Sequence, residues 1–330
     1  MGGGPDGAPV GVVVVDKPPG WTSHDVVGRV RRLLRTRRVG HAGTLDPMAT
    51  GVLVVGVGWA TRLLTHLVGH DKDYLATVRL GVATVTDDAE GEPTGGADAS
   101  ALDGAALEDA LERLRGQQLQ RPSSVSAVKV DGRRSYARVR AGEAVELEAR
   151  PVTVERLDVL AVRGPGGTGV TGRDGAVPAG CLDVDVVTTV SAGTYVRALA
   201  RDLGAALGVG GHLTALRRTR SGPFTVADAV AVPGRDADDL AAAAAADELT
   251  GRLLDLPAVA RRCFPVHEVD AALAARLRHG QRLPPWDGPA GPVAALDPAG
   301  DLVALVREER GAVRPVLVVP PDLQGRTLDR

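Results

Sequence analysis

Apolar residues along this chain gather in short, valine-rich runs rather than in long amphipathic stretches. Runs at 11–15, 52–57, 74–80, 152–162 and 182–190 combine β-branched residues with continuous or alternating apolar patterning, and each predicts a strand. Helical patterning is confined to 23–34, 101–114, 136–141 and 195–207; in 101–114 the apolar residues return at three- and four-residue spacing, as an amphipathic helix requires. Strands outnumber helices and do not alternate strictly with them, which predicts an α+β fold with a mostly antiparallel sheet. After Cys263 the texture changes. A short helix at 269–278 stops at Gly280, an expected cap, and strand-like runs follow at 292–296, 302–306 and 314–319. Asp297-Pro298-Ala299-Gly300 reads as the turn between the first two of those runs.

The remaining stretches are punctuation. Residues 1–8 read as a disordered Gly/Pro tail, 164–180 as a Gly/Pro-rich surface loop, and 236–248 as an acidic connector, flexible or helical. At 330 residues the chain exceeds the size at which a single core keeps growing. Two domains are therefore expected, 9–262 and a smaller β-rich 263–330.

Composition changes the picture in three ways. Aromatic residues make up only 2% of the chain, so Val, Leu and Ala must build the core. The two cysteines, Cys181 and Cys263, have no metal-ligand spacing, which fits a reducing cytosol, and no apolar run approaches the eighteen or so residues of a membrane span. No cationic stretch opens the sequence, so a secretory signal is not expected and the chain reads as cytoplasmic. The net charge of −2 argues mildly against nucleic acid, yet the basic residues are segregated. Six arginines fall between Arg29 and Arg38; Lys129, Arg133, Arg134, Arg138 and Arg140 form a second cluster and Arg217, Arg218 and Arg220 a third, while acids gather at 87–92 and 236–248. A neutral protein can carry a positive groove in this way. Of 39 basic residues only Lys17, Lys72 and Lys129 are lysine, and Tyr74, Tyr136 and Tyr195 are the only tyrosines.

The candidate chemistry centres on Gly40-His41-Ala42-Gly43-Thr44-Leu45-Asp46-Pro47-Met48-Ala49-Thr50-Gly51. Its glycines permit backbone angles that other residues resist, and Pro47 pushes Asp46 towards an extended conformation. An isolated Asp-Pro would be an ordinary turn. Twelve residues that join glycines, a histidine and one carboxylate resemble the catalytic-aspartate motif of the pseudouridine synthases, in the form carried by the bacterial enzymes that modify the T-loop of tRNA. Further segments resemble the same family: Asp16-Lys17-Pro18-Pro19-Gly20-Trp21-Thr22-Ser23, Lys72-Asp73-Tyr74, the basic segment of Lys129 and Tyr136, and Gly193-Thr194-Tyr195-Val196-Arg197. Leu277-Arg278-His279-Gly280-Gln281-Arg282-Leu283 resembles, more faintly, the start of the PUA-like RNA-binding domain that closes these synthases.

The resemblance implies a pseudouridine-synthase fold, a mixed, mostly antiparallel sheet flanked by helices, with a small PUA-like domain at 263–330. It implies uridine-to-pseudouridine isomerisation at position 55 of tRNA, without cofactor, metal or obligatory protein partner, by a chain expected to act as a monomer. Asp46 would be the essential carboxylate and Arg197 its partner; a guanidinium beside a carboxylate in an apolar pocket holds it ionised. Tyr74 would be catalytic, stacking on the flipped uracil and able to remove its C5 proton; His41 would enter the T-loop in place of the base, and Leu216 would wall the pocket. Lys17 would lie near the site as contact or as loop support, and Lys129 and Arg133 would touch phosphate, which fixes position without reading sequence. Two segments depart from the family pattern, Thr84-Val85-Thr86 and Pro122-Ser123-Ser124-Val125-Ser126-Ala127; the first puts one loop hydrogen bond in doubt. A tRNA-binding and folding protein with secondary catalysis, and a guide-RNA-dependent synthase, are the competing expectations. A glycoside hydrolase would need paired carboxylates, and no second acid accompanies Asp46 in its motif.

Overall fold

The structure, a computed structural model, describes residues 9–123, 129–130, 133–134, 147–165, 176–234, 236–286, 288–289 and 291–323. The tail at 1–8, the helix expected at 136–141, Arg138, Arg140 and the stretch 124–127 lie outside the described residues, as does most of the loop expected at 164–180. In chain order the elements begin β1 (Gly11–Lys17), α1 (Ser23–Leu33), β2 (Val39–Ala42), β3 (Thr50–Val57), α2 (Leu64–Leu67), β4 (Lys72–Leu80), β5 (Ala83–Thr84), β6 (Pro93–Gly95), α3 (Gly104–Arg113) and β7 (Gly116–Gln120). They continue β8 (Lys129–Val130), β9 (Arg133–Arg134), β10 (Arg150–Arg163), β11 (Leu182–Val190), α4 (Val196–Ala206), β12 (Gly211–Ser221), β13 (Phe224–Thr225), β14 (Val230–Ala231), α5 (Asp239–Gly251) and α6 (Leu256–Cys263). The chain closes with β15 (Val266–Glu268), α7 (Ala271–Arg278), β16 (Val293–Leu296), β17 (Leu302–Glu309) and β18 (Ala312–Val318).

Two compact units divide this chain. One comprises residues 1–47, 51–69 and 221–330; the other comprises 48–50 and 70–220. In the first, β1 lies between β14 and β3, parallel to β14 and antiparallel to β3, with Val13 opposite Val55; β2 turns back antiparallel onto β3. Four valines in a row suit β1 because both of its faces are buried. The backbone of Val12 also exchanges hydrogen bonds with Leu254, at 2.9 and 2.8 Å. Gly11 is required beside that pairing, since a Cβ there would stand 2.3 Å from the Leu254 carbonyl oxygen. The same unit holds a second sheet in the order β15-β16-β17-β18. Its Ala294, Leu296, Leu302, Leu305 and Val319 share one hydrophobic cluster with Val12, Val14, Val52, Val54, Phe264 and the buried side of α6. A further cluster lies between that sheet and α7.

In the second unit the strands run β12-β4-β11-β10-β7. β11 is antiparallel to β4, with Thr188 opposite Tyr74, and β10 is antiparallel to both β11 and β7. α3 and α4 pack together, and Leu111, Leu114, Leu199 and Leu203 meet Val78, Leu157 and Val186 of the sheet. The opposite face of β4 and β11 is unusual for a sheet interior. Arg79 pairs with Asp183 at 2.7 and 2.8 Å, Arg163 with Asp185 at 3.0 and 3.1 Å, and Thr77 donates to Asp185 at 2.6 Å. Burying such charges is tolerable only because each meets its partner.

Most valine runs form strands where the pattern places them. The eleven-residue β12 was not expected, because Arg217, Arg218 and Arg220 break its apolar alternation. Arg218 is nevertheless 1% exposed, and Arg220 is paired with Asp73 at 2.6 and 2.7 Å. The third basic cluster is thus part of a sheet rather than a solvated patch. The acidic connector is helical: α5 is capped by the Asp238 side chain, which accepts from the Ala241 amide.

Candidate active site

The segment before the Asp46 loop is built to hold it. Thr22 caps α1 in a reciprocal box with Asp25, so α1 starts at Ser23 and its first side chain faces the loop. Ser23 is 1% exposed; its hydroxyl accepts from the Leu45 amide at 2.9 Å and donates to the Leu45 carbonyl at 3.1 Å. On the other side of Asp46, the Pro47 carbonyl accepts from the Gly20 amide at 2.9 Å and from the Lys17 ammonium at 3.1 Å. Lys17 also donates to the carbonyls of Pro18 at 3.0 Å and Trp21 at 2.5 Å. Three convergent carbonyls match the three donors of an ammonium, and Lys17 is 0% exposed. The backbone on both sides of Asp46 is therefore pinned while Asp46 itself is half-buried.

Gly43 and Gly51, with φ of 83° and 98°, supply the left-handed turns that bound the loop. His41 lies on β2, half-buried, with the ring of His24 edge-on to it at 5.4 Å. Lys17, His41 and Asp46 thus belong to one loop system in the first unit.

Tyr74, Arg197 and Leu216 belong to the second unit. Tyr74 is buried on β4, on the same face as Ala76, Val78 and Leu80, and Leu216 is buried on β12. Arg197 occupies the second position of α4, whose cap residue is Tyr195. Its guanidinium donates to the Thr86 carbonyl at 2.9 Å and lies 3.4 Å from the Asp88 carboxylate, with both charged side chains about 5% exposed. Asp88 is held in turn by the Thr86 hydroxyl and, at 3.0 Å, by the Glu90 amide. Lys129 and Arg133 lie on the paired strands β8 and β9; their side chains are outside the described residues.

Sequence reasoning missed Asp88 and gave Ser23 and Gly20 no role. Asp88 is one of the acids gathered at 87–92, and nothing in its spacing reports that it is buried against Arg197. Ser23 and Gly20 stand inside the Lys17 motif, where the signal was present. In the departing segment Thr84-Val85-Thr86, Val85 is 42% exposed and its amide donates to the Glu92 carbonyl, so this turn closes through its backbone.

Lys72, on β4 beside Tyr74, is 7% exposed and donates to the His70 carbonyl. Burial first, and then the Arg218 guanidinium, push its ammonium down to about 8. Among the described residues no group of His, Cys, Asp and Glu could hold a metal ion, and no helix is long and apolar enough to cross a membrane.

Residues 31–196 match the family of TruB pseudouridylate synthases, N-terminal domain. Residues 197–256 match the tRNA pseudouridylate synthase B C-terminal domain, and 264–320 match the C-terminal domain of tRNA pseudouridine synthase II. The chain belongs to the TruB family of pseudouridylate synthases. Its relatives include proteins named tRNA pseudouridine synthase B from Arthrobacter sp. (strain FB24), 52% identical across 94% of this chain and 97% of that one, and from Cutibacterium acnes, 54% identical across 94% and 98%. In fold the synthase is similar to a chain in a structure of an H/ACA RNP bound to a substrate RNA containing 2′-deoxyuridine. The TM-score is 0.65 at 25% identity, over 95% of this chain and 86% of that one.

Proposed function

We propose that this synthase converts uridine 55 in the T-loop of tRNA to pseudouridine, with Asp46 as the essential carboxylate. The observation that carries the reading is the loop of Asp46, braced from Ser23, Gly20 and Lys17 so that one half-buried acid is presented in a fixed place. Such bracing serves a reacting group, because productive geometry must be held within fractions of an ångström. Family membership and the names of the relatives support formation of pseudouridine in tRNA.

The reaction is an isomerisation. The bond from N1 to C1′ breaks, the uracil turns, C5 bonds to C1′, C5 loses its proton and N1 gains one. Asp46 attacks C1′ or removes a sugar proton to give a glycal-like species; either route uses one carboxylate and no cofactor. The target base must leave its stack, which costs roughly a few kcal/mol. In this reading His41 takes its place in the loop, Tyr74 stacks on the flipped uracil, and Leu216 closes the pocket. In the same reading Arg197, which is anchored by Asp88 and Thr86, is the partner of Asp46. Lys17 acts by holding the loop, Lys129 and Arg133 engage phosphate, and 263–330 acts as a PUA-like RNA-binding domain of a cytoplasmic monomer.

The test is incubation of the purified chain with unmodified tRNA transcript and single-nucleotide mapping of pseudouridine, with Asp46→Asn alongside. One Asp46-dependent pseudouridine at position 55 is expected. Substantial turnover by Asp46→Asn would remove its assigned role. Product only upon addition of a guide RNA would move the protein to the ribonucleoprotein class.

A further inference from the structure

On α4, Arg197 and Arg201 stand four residues apart and project to one side. Facing them are two consecutive acids. Arg197 takes Asp88, and Arg201 takes Asp87 at 3.4 Å while also pairing with Asp202 at 2.8 Å. Asp87 sits at φ 58°, a left-handed position where a glycine would be free of strain. Its backbone is fixed by hydrogen bonds to the Thr84 carbonyl and from the Leu213 amide, so the turn does not need the carboxylate. That carboxylate is 10% exposed, and burial pushes its pKa up. A costly acid thus stands where the backbone alone would prefer glycine.

The same patch reaches one strand further. Gln120, at the end of β7 and 1% exposed, accepts from the Tyr195 amide at 2.8 Å and donates to the Tyr195 carbonyl at 3.1 Å. Tyr195 is the cap residue of α4 and provides no side-chain cap of its own. The Arg201 guanidinium donates to the Arg121 carbonyl at 2.8 Å. From Arg121 the chain continues into the segment that carries Lys129 and Arg133.

We propose that Asp87, Arg201 and Gln120 are positioning residues for Arg197. They lock the first turns of α4 onto the turn at 84–90 and tie both to the root of the RNA-binding segment. An ion pair this exposed on its arginine side adds little to stability, so its effect is geometric. The inference rests on Arg197 acting in the reaction proposed above.

The test uses the full chain and tRNA transcript labelled with tritium at C5 of uridine, read as tritium release in a single turnover at saturating enzyme. tRNA affinity and unfolding temperature are measured in parallel. Asp87→Asn keeps size and tolerates the left-handed backbone, and Asp87→Gly is a second variant that relieves strain. Both, and Arg201→Met, are expected to slow release about tenfold with affinity within about twofold, by misplacing Arg197. Arg201→Lys should recover part of the rate. In an Arg197→Lys background, Asp87→Asn should cost nothing further, because residues that act through one group are not additive. Wild-type release from folded Asp87→Asn and Arg201→Met, or a full additive loss in the Arg197→Lys background, would overturn the inference alone. No release by the unaltered chain would overturn the reaction and the inference with it.

Discussion

Replacing Lys17 by methionine tests the bracing of the Asp46 loop. The stem of the side chain is kept and only the ammonium is lost, so packing around β1 is preserved. Three charge-assisted hydrogen bonds disappear, to the carbonyls of Pro18, Trp21 and Pro47. Pro47 retains the Gly20 amide at 2.9 Å, whereas the other two carbonyls lose this donor. At about 1–3 kcal/mol for each buried acceptor left short, the gross loss is about 2–6 kcal/mol. Relief from burying an ammonium offsets part of that. A net destabilisation of about 3 kcal/mol is expected, which for a chain of this size lowers Tm by about 4 °C. The effect on catalysis should exceed what stability explains, because one of the three lost bonds braces Pro47, the residue next to Asp46. Single-turnover release well below Tm is expected to fall at least ~10-fold. Lys17→Arg should not restore it, since a planar guanidinium cannot converge on three carbonyls as an ammonium does. Thermal unfolding and the tritium assay read the two effects separately. A Lys17→Met protein with unchanged Tm and unchanged rate would refute the clamp.

Two further outcomes are expected. Asp88→Asn removes the carboxylate beside a guanidinium that is itself about 5% exposed, and should slow release ~100-fold while tRNA binding persists; equal rates in a filter-binding-matched assay would exclude Asp88 from the support of Arg197. Lys72 titrates at about 8 in the fold, against an ordinary 10.5 when unfolded. Between those values the unfolded chain holds a proton that the folded chain has released, so stability should rise with pH across that window and be lost as pH falls through about 8. The change is about 3 kcal/mol and should vanish in Lys72→Met. With only three lysines, NMR of 13C-labelled lysine resolves the titration directly, and a Lys72 midpoint near 10.5 would contradict the burial argument.

Much of this architecture could be read from sequence because the signals were local. β11 spans 182–190, the stretch that patterning predicts, since a buried strand shows as an unbroken apolar run. β12 did not show, because what makes Arg218 and Arg220 acceptable in a sheet is tertiary: Asp73 is distant in sequence from Arg220 and adjacent in space. β7, Gly116-Gln117-Gln118-Leu119-Gln120, was equally silent, its pairing being set by β10. α6 was legible and overlooked, with Asp255 as cap and a proline in its first turn. In the site, the Asp46 loop announces itself through Gly and Pro chemistry, which acts within a few residues. Asp88 does not, because a buried acid and a solvated acid are written with the same letter.

The hydrophobic cluster that β16 and β17 share with β1 and β3 has a practical consequence for anyone dissecting this synthase. Cutting the chain after residue 262 would remove Phe264, Ala294, Leu296, Leu302, Leu305 and Val319 from the packing around Val12, Val14, Val52 and Val54. A shortened protein that failed to retain tRNA would then report a collapsed scaffold and say nothing of affinity. Grafting the final sixty-odd residues onto another enzyme would meet the same obstacle, unless the receiving strand and helix α6 travelled with them. What the C-terminal sheet contributes to RNA has to be measured with point changes on its outward face, in a chain left whole.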